Sequence, residues 1–195
     1  MHMATSKTRI RIIKLLLLGA LFITAFTGAL FLAQYVATHE SAQAIVTSMG
    51  YTGVLSIAFL SGISAVSPIP PGAFVPLFTA AGLHLPIIIA TLIIGTTIAD
   101  IVGYLFGKWG KSLVSQHYPN THKKIEKLNI KNARVLFAFV FLYATFMPLP
   151  NEVFLIPLAL MGIPLRRFML PLVLGTTIYH TAGAYGAQTL FQLFF

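Results

Sequence analysis

The 195-residue chain has no cysteine, and only four acidic residues stand against 13 Lys and Arg. Without cysteine there are no disulfides or thiolate metal sites, and the redox compartment cannot be read. The shortage of acids belongs to a wider shortage of charge. Charged residues are 9% of the chain and hydrophobic ones 57%, whereas soluble domains are about a quarter charged. With a mean hydropathy of +0.86, the solvent for this surface is mostly lipid. Catalytic signatures are also missing: there is no H-E-x-x-H, no G-x-S-x-G and no phosphate loop. An enzyme is not expected, nor is any cofactor or metal.

The net charge of +9 does not point to nucleic acid, because the basic residues cluster at the edges of apolar runs, where cytoplasmic loops carry them. "KTRIRIIKLLLLGALFITAFTGALFLAQYVA" has a basic head and an apolar run from about Ile12 to Ala37. That run is longer than a signal-peptide core and no small-x-small cleavage site follows it, so a retained transmembrane helix is expected. Pro86 to Gly107 and Phe168 to the C-terminus read as further spans. Two other apolar runs, starting at Tyr51 and Val135, are broken at "SPIPPG" and "MPLPNE". The half-segments beside each break hold about 12 to 17 residues, fewer than the ~20 needed to cross.

The two halves repeat. Shifted by 80 residues, Pro68 to Lys108 lies on Pro148 to Gln188 without a gap, with 11 identities in 41 positions. Pro68 meets Pro148, Pro70 meets Pro150, and Gly82 meets Gly162. Gly95-Thr96-Thr97-Ile98 meets Gly175-Thr176-Thr177-Ile178, and Gly103 meets Gly183. Hydrophobic segments broken at matching places in two halves point to a transporter-type binding site.

Charge placement gives the repeat a direction. With the N-terminus in the cytoplasm, re-entrant hairpins at both breaks leave all 13 basic residues on the cytoplasmic side. Reading each broken run as a full span would instead put Arg166 and Arg167 opposite the main basic loop. The expected fold is therefore an all-α polytopic membrane protein. A transmembrane helix and short external segment (1–50) precede two inverted repeats (51–110 and 134–195), each a re-entrant hairpin plus a transmembrane helix, joined by a basic cytoplasmic loop (111–133). The expected location is the inner or plasma membrane. Pro68, Pro70, Pro71, Gly72, Pro148 and Pro150 are expected at the hairpin tips, since proline forces the turn and leaves no N–H unsatisfied. Gly95, Gly103, Gly107, Gly175 and Gly183 are expected in helix packing.

Four polar residues have no place in lipid: Asp100, Asn151, Glu152 and His180. An Asp at a membrane-helix centre costs about 2.5–3.5 kcal/mol on insertion scales, so it is a functional candidate by default. The 80-residue shift lays Asp100 on His180, and both repeats thus place a titratable group at one position. His180 is expected to pair with Asp100 or Glu152 and share a proton with it. Plainer roles exist: Asp100 can brace a hairpin, and Glu152 can cap a half-helix starting at Val153.

"SPIPPGAFVPLFTAAG" followed by "GTTIADIVGYLFGKWGK" resembles the first half of the DedA family, also called VTT or SNARE-associated membrane proteins. The matching positions are the proline-bearing loop and then Gly95, Asp100, Tyr104, Gly107, Lys108 and Gly110, with Ala99 where the family has glycine. The resemblance covers about Pro68 to Gln188. It implies opposed re-entrant loops and movement of lipid, polyprenyl-phosphate carriers or phospholipids, between leaflets, with dependence on proton-motive force. Two departures bear on the substrate. Ala73 stands where many members have an acid, and Thr145 and Asn151 stand nearest the places of two arginines. The expected partners are membrane lipid and protons, with nucleic acid excluded and a homo-oligomer left open. The rival expectations are a proton-coupled exporter of small cations and a non-transporting membrane scaffold.

Overall fold

The computed structural model describes residues 2–63, 70–117, 132–147 and 150–195, with side chains from residue 16 onward except 18. Pro68, Pro148 and most of the expected basic loop lie outside the described residues. Helix α1 (His2–Thr38) contains the whole N-terminal apolar run. Helix α2 (Glu40–Gly62) is bent at Gly50, whose φ of 53° and ψ of −147° interrupt the helical path. A 3-10 turn (Pro71–Phe74) leads into the short helix α3 (Val75–Ala80). The 33-residue α4 (Leu85–His117) follows, then α5 (Ala133–Phe146) and the nine-residue α6 (Glu152–Leu160). A second 3-10 turn (Leu165–Arg167) precedes α7 (Met169–Phe194). No strand occurs among the described residues.

Among the described residues, three helices are long and apolar enough to cross a membrane: Gly19–Thr38 of α1, α2 and α4. At 1.5 Å per residue α4 is about 50 Å long, well beyond the ~30 Å hydrocarbon layer. Its last turns can therefore carry Lys108, Lys111 and the exposed Trp109 out to the interface. Helix α7 has 26 residues, but Thr176, Thr177, His180 and Gln188 dilute its apolar run, and it is not one of the three. Ile23, Ile94, Phe106, Leu142 and Leu193 are exposed. Such a surface is stable only in lipid, so the chain is an all-α membrane protein.

Each broken run folds back on itself. In the first, Thr47 donates to Ala81 O at 2.8 Å and the N–H of His84 donates to Tyr51 Oη at 3.2 Å. The descending and returning arms thus end together. In the second, Tyr143 donates to Pro150 O at 3.3 Å and its ring packs edge-on against Phe154. The returning arm runs beside α4: the places where Cβ atoms would sit on Gly103, Gly107 and Gly162 meet Glu152, Ile156 and Lys111 in turn. Tyr104 Oη donates to Ile163 O at 3.1 Å, tying α4 to the end of that arm. The first fold-back lies at the N-terminal end of α4 and the second at its C-terminal end.

The matching extends to hydrogen bonds. Both returning arms stop at a left-handed glycine, Gly82 (φ 86°) and Gly162 (φ 77°). Beyond each, an N–H reaches back five residues, Leu83 to Phe78 O at 3.0 Å and Ile163 to Leu158 O at 3.1 Å. This is a Schellman ending, which satisfies carbonyls that a helix end would otherwise orphan. At the other end of the arms, Pro70 O accepts from Ala73 N–H and Pro150 O from Val153 N–H.

Small residues set the helix spacing. A Cβ on Gly95 would lie 2.6 Å from Ala58 Cβ, and one on Gly175 would lie 2.7 Å from Ala144 Cβ. These two contacts differ by 86 positions in their α2 and α5 partners but by 80 in their α4 and α7 partners. The first hairpin is therefore six residues longer, and the extra residues lie between Ala58 and Pro68. Gly183 differs from the expected packing role. Nothing within 4 Å would meet a Cβ there, and it is its backbone that lies against Gly72.

Candidate functional site

Four polar side chains are buried where α4 meets α7. Thr96 and Asp100 project from one face of α4, and Thr176 and His180 from one face of α7, since residues four apart are neighbours on a helix. They are 6%, 2%, 3% and 4% exposed. The 80-residue relation pairs Thr96 with Thr176 and Asp100 with His180, so the cluster is built from corresponding positions of the two repeats.

The second tip reaches this cluster. Asn151 occupies the N-cap position of α6, yet its side chain accepts no capping bond. Its Nδ2 instead donates to Asp100 Oδ2 at 2.9 Å. A φ of −63° and ψ of −26° make Asn151 helical, whereas a capping side chain usually starts from extended backbone. Glu152 is the first residue of α6 rather than the cap of a helix beginning at Val153. A carboxylate there is favoured by the partial positive charge of the helix start. Its Cγ lies 3.0 Å from where a Gly103 Cβ would be, so the missing side chain at Gly103 makes room for the glutamate.

The first tip arrives from the other end. A Cβ on Gly72 would stand 3.5 Å from the carbonyl carbon of Gly183. Under the 80-residue relation this contact is the counterpart of Glu152 against Gly103. Pro71, Gly72 and Ala73 are buried, so the first tip brings backbone where the second brings a carboxylate. Farther along, Thr79 donates to Gln188 Oε1 at 2.8 Å, a polar link between the first returning arm and α7.

His180 is placed differently from the expectation. Its Nε2 lies 3.0 Å from Thr96 Oγ1, and Nδ1 has no partner, so the ring pairs with a threonine and not with Asp100 or Glu152. The rotation of α7 against α4 decides this, and no spacing within one helix reports it. Thr96 and Thr176 were not singled out from the sequence. Their signal was the threonine in the repeated Gly-Thr-Thr-Ile, one turn before Asp100 and His180. Tyr104 and Tyr143 brace helices and do not enter the cluster.

Taken together, Asp100, Asn151, Glu152 and His180 fall at the junction of α4, α7 and the second tip. Pro70, Pro71 and Pro150 fall at the breaks. The junction offers carboxylates, an amide, hydroxyls and an imidazole, which suit proton exchange and hydrogen bonding. No group of three metal-binding side chains occurs among the described residues. The family model of the VTT domain matches residues 69–186, which spans the returning arm of the first fold-back, α4, the second fold-back and most of α7. No curated protein and no solved structure matches the chain.

Proposed function

The chain belongs to the VTT domain family, and on that premise we propose that it translocates lipid between membrane leaflets, coupled to protons, and is not an enzyme. The carrying observation is the Asn151–Asp100 hydrogen bond, which joins a hairpin tip to a carboxylate inside a long helix. A bond from an amide to an ionised carboxylate is roughly twice as strong as one to a neutral acceptor. Gain or loss of a proton at Asp100 therefore changes how firmly the tip is held. Backbone breaks at this depth persist only when buried in protein or facing a wet cavity, which suits a polar passage between the two tips.

In this reading both fold-backs are re-entrant, dipping from opposite faces, with the N-terminus in the cytoplasm of an inner or plasma membrane. Lys111 Nζ lies beside Gly162, four residues before Arg166 in the chain. This adjacency supports placing the basic loop and the two arginines on one side. The lipid is a polyprenyl phosphate or a phospholipid. Fluorescent-lipid exchange in proteoliposomes, with and without a pH gradient, tests the reading. Exchange no faster than in empty liposomes under either condition overturns it.

One observation favours a second reading, proton-coupled export of a small cation. Asp100 and Glu152 bring carboxylates to the site, while Arg134, Arg166 and Arg167 are exposed at helix ends. That balance suits a positive group better than a lipid phosphate. A cationic substrate would release protons on binding to detergent-solubilised protein, and Glu152→Gln would abolish the release.

A further inference from the structure

Cations gather where the second returning arm ends against α4. Tyr104 holds both sides of that end. Its hydroxyl donates to Ile163 O at 3.1 Å, and its ring packs edge-on to Phe168 with centroids 5.7 Å apart. The second 3-10 turn, Leu165–Arg167, lies between these two contacts. It is therefore kept beside α4, with Arg166 and Arg167 exposed. Lys108 and Lys111 stand four and seven residues beyond Tyr104, on the same face of α4. Lys108 is exposed, and Lys111 Nζ lies 2.9 Å from where a Gly162 Cβ would be.

No acid from these segments balances the charge. Helix α4 holds none after Asp100, and the chain holds none from Val153 to Phe195. The fold does not require the cations either. The 80-residue relation, continued to Lys111, sets Gln188 and Phe191 against Lys108 and Lys111, and Pro86 and Ile87 against Arg166 and Arg167. The first returning arm meets α7 through Thr79 and Gln188, and it makes the equivalent junction without a charge. Lys111 has a plainer task, since the end of α6 beside it favours a cation. Arg166 and Arg167 have none: they precede the start of α7, where the helix dipole disfavours positive charge.

Depth and surroundings suit a headgroup. Lys108 and Lys111 are about 12 and 16 Å along α4 from Asp100, against ~15 Å for half of the hydrocarbon layer. Away from this face, α4 carries Phe106, Trp109 and Leu113, all exposed. Tryptophan is favoured where apolar surface gives way to headgroups. A phosphate at this level meets guanidinium groups, each able to grip two of its oxygens at once.

We propose that Lys108, Arg166 and Arg167 form a binding site for the headgroup of an anionic phospholipid, while Lys111 keeps the turn against α4. The three cations hold the phosphate at the membrane surface, as basic pockets between helices do. This site is separate from the Asp100 junction, and its occupation does not depend on lipid or protons being moved.

Trp109 is the only tryptophan of the chain and follows Lys108, so its fluorescence reads the lipid at this end of α4. The full chain is reconstituted in mixed phosphatidylcholine and phosphatidylglycerol bilayers, with one lipid or the other brominated on its acyl chains as quencher. Brominated phosphatidylglycerol should quench Trp109 with an apparent affinity at least about tenfold above brominated phosphatidylcholine, as two or more basic residues beside an anionic headgroup supply. Lys108→Gln introduces the side chain of the other repeat and should weaken that preference about fivefold. Adding Arg166→Gln should abolish it.

Equal quenching by the two lipids overturns the proposal. So does a preference that survives both substitutions, which would leave the cations as markers of orientation only. Where the double variant fails to insert, Lys108→Gln alone decides, and an unchanged preference overturns the site. Inorganic phosphate, compared with chloride at equal ionic strength, separates two sources of the anion. Loss of the preference to phosphate alone would make a free anion the ligand and overturn the lipid assignment. A bound anionic lipid in a protein that translocates none would overturn the proposed function and leave this site standing.

Discussion

Asn151 Nδ2 donates to Asp100 Oδ2 at 2.9 Å, bringing the tip of one hairpin to a helix from the other half of the chain. Residues 51 positions apart are tied by a polar bond inside an apolar structure, and this bond links the fold to the chemistry of the site. Asn151→Ala leaves a carboxylate oxygen without its donor and should cost about 1–3 kcal/mol of stability. In an Asp100→Ala background the same change should cost much less, because the two act as one unit. Thermal unfolding of the four proteins in detergent measures the coupling; additive effects would show that the bond contributes nothing.

Glycine contacts give a second, structural test. A Cβ on Gly107 would lie 2.9 Å from Ala159 Cβ and 3.0 Å from Ile156 Cα, whereas nothing within 4 Å meets one on Gly110. Gly107→Val should destabilise by about 1–3 kcal/mol through overpacking. Gly110→Ala should be neutral or stabilising by up to about 1 kcal/mol, the helix-propensity gain. Unfolding midpoints of the two variants should move in opposite directions or one should not move.

The turns at Gly82 and Gly162 should respond alike. Both have positive φ, so alanine at either should cost about 1–2 kcal/mol from backbone strain alone. At Gly82 no neighbour adds to that; at Gly162 the new Cβ would stand 2.9 Å from Lys111 Nζ, which would have to shift aside. Equal or larger loss at Gly162, read from unfolding midpoints, is the expected order.

Topology can be read by labelling, since the chain has no native cysteine. His84→Cys and Arg166→Cys, both at exposed positions where a returning arm ends, should react with impermeant reagent from opposite sides of a sealed vesicle. Reaction of both from one side would contradict the inverted arrangement.

Much of this was legible in the sequence because the repeat is carried by residues with strict backbone demands. Pro70 and Pro150 mark the tips, and Gly82 and Gly162 mark where the returning arms stop. Gly95 and Gly175 mark two matching close helix contacts. The six-residue difference between the hairpins was not legible, since it falls before Pro68, where the gapless match ends. The partner of His180 was hidden for another reason. Spacing within a helix fixes which residues share a face but not how that face is turned toward its neighbour, and here it meets Thr96. Thr176 was hidden because a helical threonine is usually satisfied by its own backbone. Only its buried, unbonded oxygen separates it from Thr177.

We infer that the Asp100–Asn151–Glu152 junction couples protons to lipid movement. Lipid exchange in sealed proteoliposomes with an imposed pH gradient tests it most directly, comparing the unaltered chain with Asp100→Asn and Glu152→Gln. Both variants should fold and reach the bilayer, yet lose gradient-driven exchange by at least about tenfold, the effect of 1.4 kcal/mol on one step. Gradient-driven exchange that persists unchanged in both variants would contradict the claim.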